Sequence, residues 1–324
     1  MPVGSQDKVN VAPIDGIRLA AVASQIRYAN RLDLVLIEIA QDSTTVGVFT
    51  QNAFCAAPVR IAKHRVKHSA SRYFLINTGN ANAGTGPEGE LAAVACCDGL
   101  AEIASASSEQ ILPFSTGVIG EQLPFDKILV ALPGLYEALS ADAWQSAAQG
   151  ILTTDTRTKL ASASFTVESS QTSISGFAKG SGMIRPNMAT MLAYVFTDAK
   201  IERPLLDKFI VNAVKNSFNR ITVDGDTSTN DCCMLVATGK GSLVITDIDS
   251  DASKQFQFEL NAVFEQLATG LIRDAEGASK FITIEVNEGA SEHECLAVAY
   301  AVAESPLVKT AFYASDPNWG RILA

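Results

Sequence analysis

Histidine is almost missing from this chain of 324 residues: His64, His68 and His293 are the only three. Two of them fall in Lys63-His64-Arg65-Val66-Lys67-His68, which reads as the polar face of a helix, so a histidine-based triad is not favoured. A CxxC pair is missing too. The six cysteines (Cys55, Cys96, Cys97, Cys232, Cys233, Cys295) include two adjacent pairs, a spacing that suits neither a metal site nor a dithiol couple, and reduced, buried thiols are expected. Dense runs of lysine and arginine are absent, and 35 acidic against 25 basic side chains leave a net charge of -10, which argues against a nucleic-acid partner. The opening MPVGSQDKVN lacks the apolar stretch of a signal peptide, and no later apolar run reaches the length that spans a bilayer. A cytoplasmic protein without a membrane partner is expected.

What is present is 47% hydrophobic residues, enough to bury the core of one large domain or two interlocked ones. Segments 33–40 and 46–50 have the β-branched, partly alternating look of strands, and 56–66 reads as a helix. A strand at 73–77 feeds the polar loop 77–86, and Pro87 suits the first turn of a helix running to about Ser105. Helices are predicted at 125–139, 141–152, 203–218, 254–273 and 292–304, and strands at 161–167, 190–196, 232–238 and 281–286. The alternation predicts an α/β protein. Segment 176–189, rich in turn-forming residues, interrupts it just before the apolar strand that opens with Thr190.

That position matters chemically. A threonine hydroxyl is a weak nucleophile unless a base stands within hydrogen-bond reach, and the α-amine of the same residue becomes such a base once the preceding peptide is cut. Spacing alone favours a blander reading, with 179–192 a loop entering a core strand and Thr190 selected for β-propensity. Asp224-Gly-Asp-Thr-Ser-Thr-Asn-Asp231 invites comparison with a calcium loop because Asp224, Asp226 and Ser228 alternate. It fails the pattern, since Thr229 stands where glycine is needed and Leu235 where the bidentate glutamate belongs.

The run KGSGMIRPNMATML at 179–192 closely resembles the segment of the ornithine acetyltransferase family (glutamate N-acetyltransferase / amino-acid acetyltransferase) in which a precursor cleaves itself at an Ala-Thr bond. Asn77-Thr-Gly-Asn-Ala-Asn82, Ser115-Thr-Gly-Val-Ile-Gly120, Thr153-Thr-Asp-Thr156, Asp224-Gly-Asp-Thr-Ser-Thr-Asn-Asp231 and Asp316-Pro-Asn-Trp-Gly-Arg321 extend the resemblance along most of the chain. It implies an α/β fold of layered sheets and helices of the ornithine acetyltransferase / DmpA-like type. It further implies self-cleavage at Ala189-Thr190, giving chains 1–189 and 190–324 interlocked in one catalytic unit, with two such pairs in a heterotetramer.

The activity implied is arginine biosynthesis: acetyl passes from N-acetylornithine to Thr190 and then to glutamate. Some members also accept acetyl-CoA, and no cofactor or metal is called for. By the same resemblance Thr116 and Gly117 form the oxyanion hole, where donors stabilise charge that develops on the carbonyl oxygen. Read without it, Ser115-Thr116-Gly117 is a turn whose glycine accepts an unusual backbone angle. Lys179, otherwise an ordinary loop lysine, becomes a substrate-binding residue that also keeps the threonine amine neutral. Glu276, otherwise part of a helix-end loop, and Thr154 become substrate contacts, although Thr153 and Thr156 stand close by. Members of that family continue past the point matching Ala324 and contribute an asparagine and a Ser/Thr to the substrate site, positions with no counterpart in this chain. Two rivals remain: an N-terminal-nucleophile hydrolase such as an aminopeptidase, and an uncleaved, inactive α/β homologue.

Overall fold

The structure is a computed structural model that describes residues 2–5, 9–167, 169–185 and 191–324. In chain order its elements are β1 (Ile17–Val22), β2 (Leu34–Ile39), β3 (Thr44–Phe49), α1 (Ala57–His68), β4 (Tyr73–Asn80), α2 (Gly86–Ala104), β5 (Ile111–Val118), α3 (Phe125–Glu137) and α4 (Trp144–Gly150). They continue with β6 (Lys159–Val167), β7 (Ser170–Lys179), β8 (Leu192–Thr197), β9 (Lys200–Ile201), α5 (Arg203–Asn216), β10 (Cys232–Ala237), β11 (Val244–Ile245), α6 (Asp251–Arg273), α7 (Glu292–Ala303), α8 (Pro306–Tyr313) and α9 (Trp319–Leu323).

Two sheets carry the fold, one ordered β1-β2-β4-β5 and the other β3-β10-β8-β7-β6. Both are mixed: β4 with β5 and β10 with β8 run parallel, and the other neighbours run antiparallel. Side chains alternate across a strand, so a strand covered on both faces reads as a near-continuous apolar run, as CCMLVA in β10 does and LVLIEI in β2 does but for Glu38. Val35, Ile37 and Ile39 of β2 meet Tyr194 and Phe196 of β8 and Met234 and Val236 of β10 in the core between the sheets. Phe74 and Phe114 stand 5.9 and 5.4 Å from the Tyr194 ring across that gap. On the outer faces, Leu34 and Leu36 join Cys97 and Leu100 of α2 and Leu132 of α3, while Ala193, Val195 and Leu235 join Phe209 of α5 and Phe264 of α6. The result is four layers, helices outside and two sheets inside, which is the layered α/β architecture expected.

All six cysteines are free thiols, four buried and two half-buried. Burial pushes the Cys96 thiol up to about 12 and Cys97 to about 11, away from the reactive thiolate. Among the described residues no single helix is long and apolar enough to cross a membrane.

Several boundaries differ from those predicted. The turn-rich segment beginning at 176 is, as far as Lys179, the end of β7, paired to β6 on one side and β8 on the other. Gly176 is there for a packing reason, since a Cβ at that position would come 2.8 Å from the Tyr194 carbonyl oxygen. Segment 281–286, expected as a strand, lies in no sheet: its backbone has no ladder partner among the described residues. The helix expected at 141–152 is the shorter α4.

Candidate active site

Parallel strands β4 and β5 end side by side, with Thr78 opposite Thr116 and Gly79 opposite Gly117. Gly117 has φ 138°, and a Cβ there would lie 2.3 Å from the Gly79 carbonyl carbon and 2.5 Å from the Asn80 nitrogen, so the two backbones can approach only because residue 117 is glycine. The polar loop that follows β4 satisfies itself. Asn77 Nδ2 donates to the Asn80 carbonyl (2.9 Å), Ser115 Oγ donates to Asn77 Oδ1 (2.6 Å), and Asn82 Nδ2 donates to the Gly89 carbonyl of α2 (2.7 Å). Asn230, at the other side of the molecule's sequence, donates from Nδ2 to the carbonyls of Ala81 (2.6 Å) and Ser115 (2.9 Å). These buried amides fix the position of Thr116 and Gly117.

Lys179, the last residue of β7, reaches across from the second sheet. Its side chain is buried, and its Nζ donates to Thr116 Oγ1 at 3.3 Å. Desolvation pushes the Lys179 ammonium below the usual lysine range, and the Asp155 carboxylate opposes that shift. Burial alone would raise the Asp155 carboxyl, but Lys179, Lys159 and the Gly180 N–H outweigh it and hold it at about 2. Lys159 Nζ donates to Asp155 Oδ1 and to Asp274 Oδ2, each at 2.5 Å, and Gly180 N donates to Asp155 Oδ1 at 2.8 Å. Asp274 also accepts from the Thr156 and Arg157 backbone nitrogens (3.0 and 3.2 Å) and from the Thr156 hydroxyl.

The chain beyond Lys179 is held at nearly every step. Thr154 Oγ1 and Ser181 Oγ lie 2.8 Å apart, and Glu276 N donates to the Ser181 carbonyl at 2.8 Å. The Glu276 carboxyl flanks Gly182 so closely that a Cβ at that glycine would come 3.2 Å from it. Asp224 accepts from Met183 N (2.6 Å) and Ile184 N (3.1 Å), which anchors Met183 in a left-handed conformation, φ 55°. Asp224 is therefore a backbone clamp.

These elements enclose a cavity of about 530 Å³. Thr116, Gly117, Thr154, Lys179 and Glu276, up to 160 positions apart in sequence, all line it. Thr153 lines it as well, whereas Thr156 is engaged with Asp274. Lys179 donates to one lone pair of Thr116 Oγ1, which leaves the threonine proton free to be donated into the cavity. Ala189 and Thr190, the predicted cleavage bond and nucleophile, lie outside the described residues. Leu192, two residues after Thr190 in the chain, is the register partner of Lys179.

One wall of the cavity, made by Arg27, Tyr28, Arg31 and Asp33, was not legible in the sequence. Asp33 is buried and accepts from Ser24 N (2.6 Å), Ser24 Oγ (2.9 Å) and Ile26 N (2.7 Å), folding segment 24–27 against the site. Arg31 donates to the carbonyls of Leu152 (2.7 Å) and Thr153 (2.7 Å), setting the loop that carries Thr154. No motif marks these residues; the only available signal was an aspartate directly before an apolar strand. The pair Asp155 and Lys159 stood in plain view four positions apart, but its third member, Asp274, is remote in sequence.

The model of the ArgJ family matches residues 18–324. The arginine biosynthesis bifunctional protein ArgJ of Methylococcus capsulatus is 52% identical over 98% of this chain and 77% of its own length. The crystal structure of arginine biosynthesis bifunctional protein argJ from Bacillus halodurans is similar at a TM-score of 0.51 and 30% identity, covering 54% of this chain and 92% of that one. A Pyrococcus horikoshii protein with 10% identity has a TM-score of 0.50 over 81% of this chain and 85% of that one, a likeness of fold alone.

Proposed function

Because the chain belongs to the ArgJ family, we propose that it is a glutamate N-acetyltransferase of arginine biosynthesis that is cleaved between Ala189 and Thr190 and works through an acetyl group carried on Thr190. In the first half-reaction the Thr190 hydroxyl oxygen attacks the acetyl carbonyl of N-acetylornithine. The Thr190 α-amine accepts the hydroxyl proton and passes it to the departing ornithine amine. In the second, the glutamate amine attacks the acetyl-threonine ester and gives up a proton to the Thr190 α-amine, which passes it to the threonine oxygen as the ester C–O bond breaks. Acetyl-CoA can load the same threonine by the same attack on its thioester. The nucleophile, base and oxyanion donors all come from the chain.

The Thr116 hydroxyl and the Gly117 N–H stabilise the oxyanion of both half-reactions, and of the cleavage itself. Thr154, Lys179 and Glu276 hold the substrate, the glutamate carboxylate pairing with the ammonium group of the amino-acid substrate. The active form is cytoplasmic, with chains 1–189 and 190–324 paired in a heterotetramer. The observation that carries this reading is the convergence of Thr116, Gly117, Thr154, Lys179 and Glu276 on one cavity. An acyl-enzyme separating the two half-reactions requires ping-pong kinetics. Initial rates measured against N-acetylornithine at several glutamate concentrations should give parallel double-reciprocal lines. Intersecting lines contradict the acetyl-threonine intermediate, and acetate release that ignores glutamate favours a hydrolase.

A further inference from the structure

Four ionisable side chains form an alternating buried row behind the cavity: Asp274, Lys159, Asp155 and Lys179 are each no more than 9% exposed. Two carboxylates and two ammonium groups cancel in charge, so the row can stay ionised only as a set. Lys159 is held between its two carboxylates at 2.5 Å each and does not line the cavity. Lys179 does line it, and the hydrogen bond to Thr116 Oγ1 is the one its ammonium makes among the described residues.

We propose that Asp155 is a positioning residue that keeps Lys179 charged and directed at Thr116, and so sets the pH range over which acetyl transfer runs. This rests on the acetyltransferase reading given above. Asp155 acts in two ways. Its Oδ1 accepts the Gly180 N–H at 2.8 Å, which fixes the backbone immediately after Lys179 and thereby the direction of the lysine stem. Its charge, pinned in place by Lys159, is the largest influence opposing the desolvation of the Lys179 ammonium. Asp231 and Glu276 add smaller favourable contributions, and Lys159 an unfavourable one. Asp155 is not among the residues that line the cavity; it works through Lys179.

The consequence concerns Thr116. A charged Lys179 can only donate, so it occupies a lone pair of Thr116 Oγ1 and leaves the threonine proton for the cavity. A neutral Lys179 can accept, and then competes for that proton. Loss of the lysine charge on the basic side should therefore switch Thr116 away from the oxyanion.

The test is the pH dependence of kcat/KM for acetyl transfer from N-acetylornithine to glutamate in the cleaved protein and in its Asp155→Asn and Asp155→Glu variants. Asp155 stabilises the ammonium form, so its neutralisation moves loss of that form to lower pH. The basic limb should move down by about one pH unit or more in Asp155→Asn and stay in place in Asp155→Glu. A uniform loss of activity with an unmoved limb overturns the proposal. If Asp155→Asn does not fold, as judged by circular dichroism, the lysine is followed directly in 15N-lysine spectra of the unmutated protein and Asp155→Glu. The resonance absent from Lys179→Arg should titrate with the midpoint of the basic limb in both, and a midpoint that departs from the limb overturns the proposal. Failure of the unmutated protein to transfer acetyl at all would instead refute the functional reading. The Lys179 titration, which needs no turnover, would still test the role of Asp155: unaltered by Asp155→Asn, it refutes the proposal.

Discussion

Lys179 Nζ and Thr116 Oγ1 lie 3.3 Å apart, a hydrogen bond that joins the end of β7 in one sheet to β5 in the other. It makes the threonine hydroxyl an acceptor on one side and so a directed donor on the other. Thr116→Ala removes that donor and should lower kcat by roughly a hundredfold or more, while Thr116→Ser keeps most of the rate. Steady-state assay of the two variants decides it. A loss of only twofold in the alanine variant would remove Thr116 from the mechanism.

Gly117 should tolerate no side chain. The backbone conformation at φ 138° alone costs a non-glycine residue about 1–3 kcal/mol, and the overlap of a Cβ with Gly79 and Asn80 forces the two strand ends apart as well. Urea unfolding of Gly117→Ala should show a loss of at least that size. An unchanged midpoint would mean that the β4 and β5 ends separate without cost.

Lys159 is the only cation between Asp155 and Asp274 at hydrogen-bond distance among the described residues. Lys159→Met leaves two buried carboxylates facing each other, and breaking such a network from one side typically costs about 3–5 kcal/mol. Chemical denaturation should reveal this at neutral pH, with part of the loss recovered as acid protonates the carboxylates. A neutral effect would show that water or rearrangement satisfies them.

Asp155 also predicts an acid limb of stability. Its carboxyl titrates at about 2 in the folded protein against a reference value of 3.8, so it binds protons more weakly when folded. The stabilisation is fully present above the unfolded value and is lost as pH falls from about 4 to about 2, a contribution on the order of 2 kcal/mol. Urea midpoints across that window should fall more steeply in the unmutated protein than in Asp155→Asn. Parallel curves would contradict the depressed value.

The sequence made the doubly buried strands legible because β2, β8 and β10 are apolar on both faces, and it made the site partly legible through the motifs around Thr116, Lys179 and Asn230. What it hid has physical reasons. β5 contains Pro113 and, just before its last residue Val118, Ser115-Thr116-Gly117, and β7 is half serine, threonine and glycine, so both look like turns until neighbouring strands supply their partners. Segment 281–286 has the opposite character: Phe281-Ile-Thr-Ile-Glu-Val alternates well, yet it pairs with none of the described strands, and alternation alone does not supply a ladder partner. The Asp155, Lys159 and Asp274 row and the wall from Arg27 to Asp33 were unreadable because their meaning lies in contacts between distant segments.

The central claim is that Thr190, freed by cleavage, carries the acetyl group. Intact mass spectrometry of the freshly purified protein, before and after incubation with N-acetylornithine alone, tests it most directly. The account predicts two chains, the second beginning Thr-Met-Leu-Ala and gaining one acetyl group that glutamate then removes. A single uncleaved chain, or a cleaved protein whose acetyl group sits elsewhere than on Thr190, would contradict it.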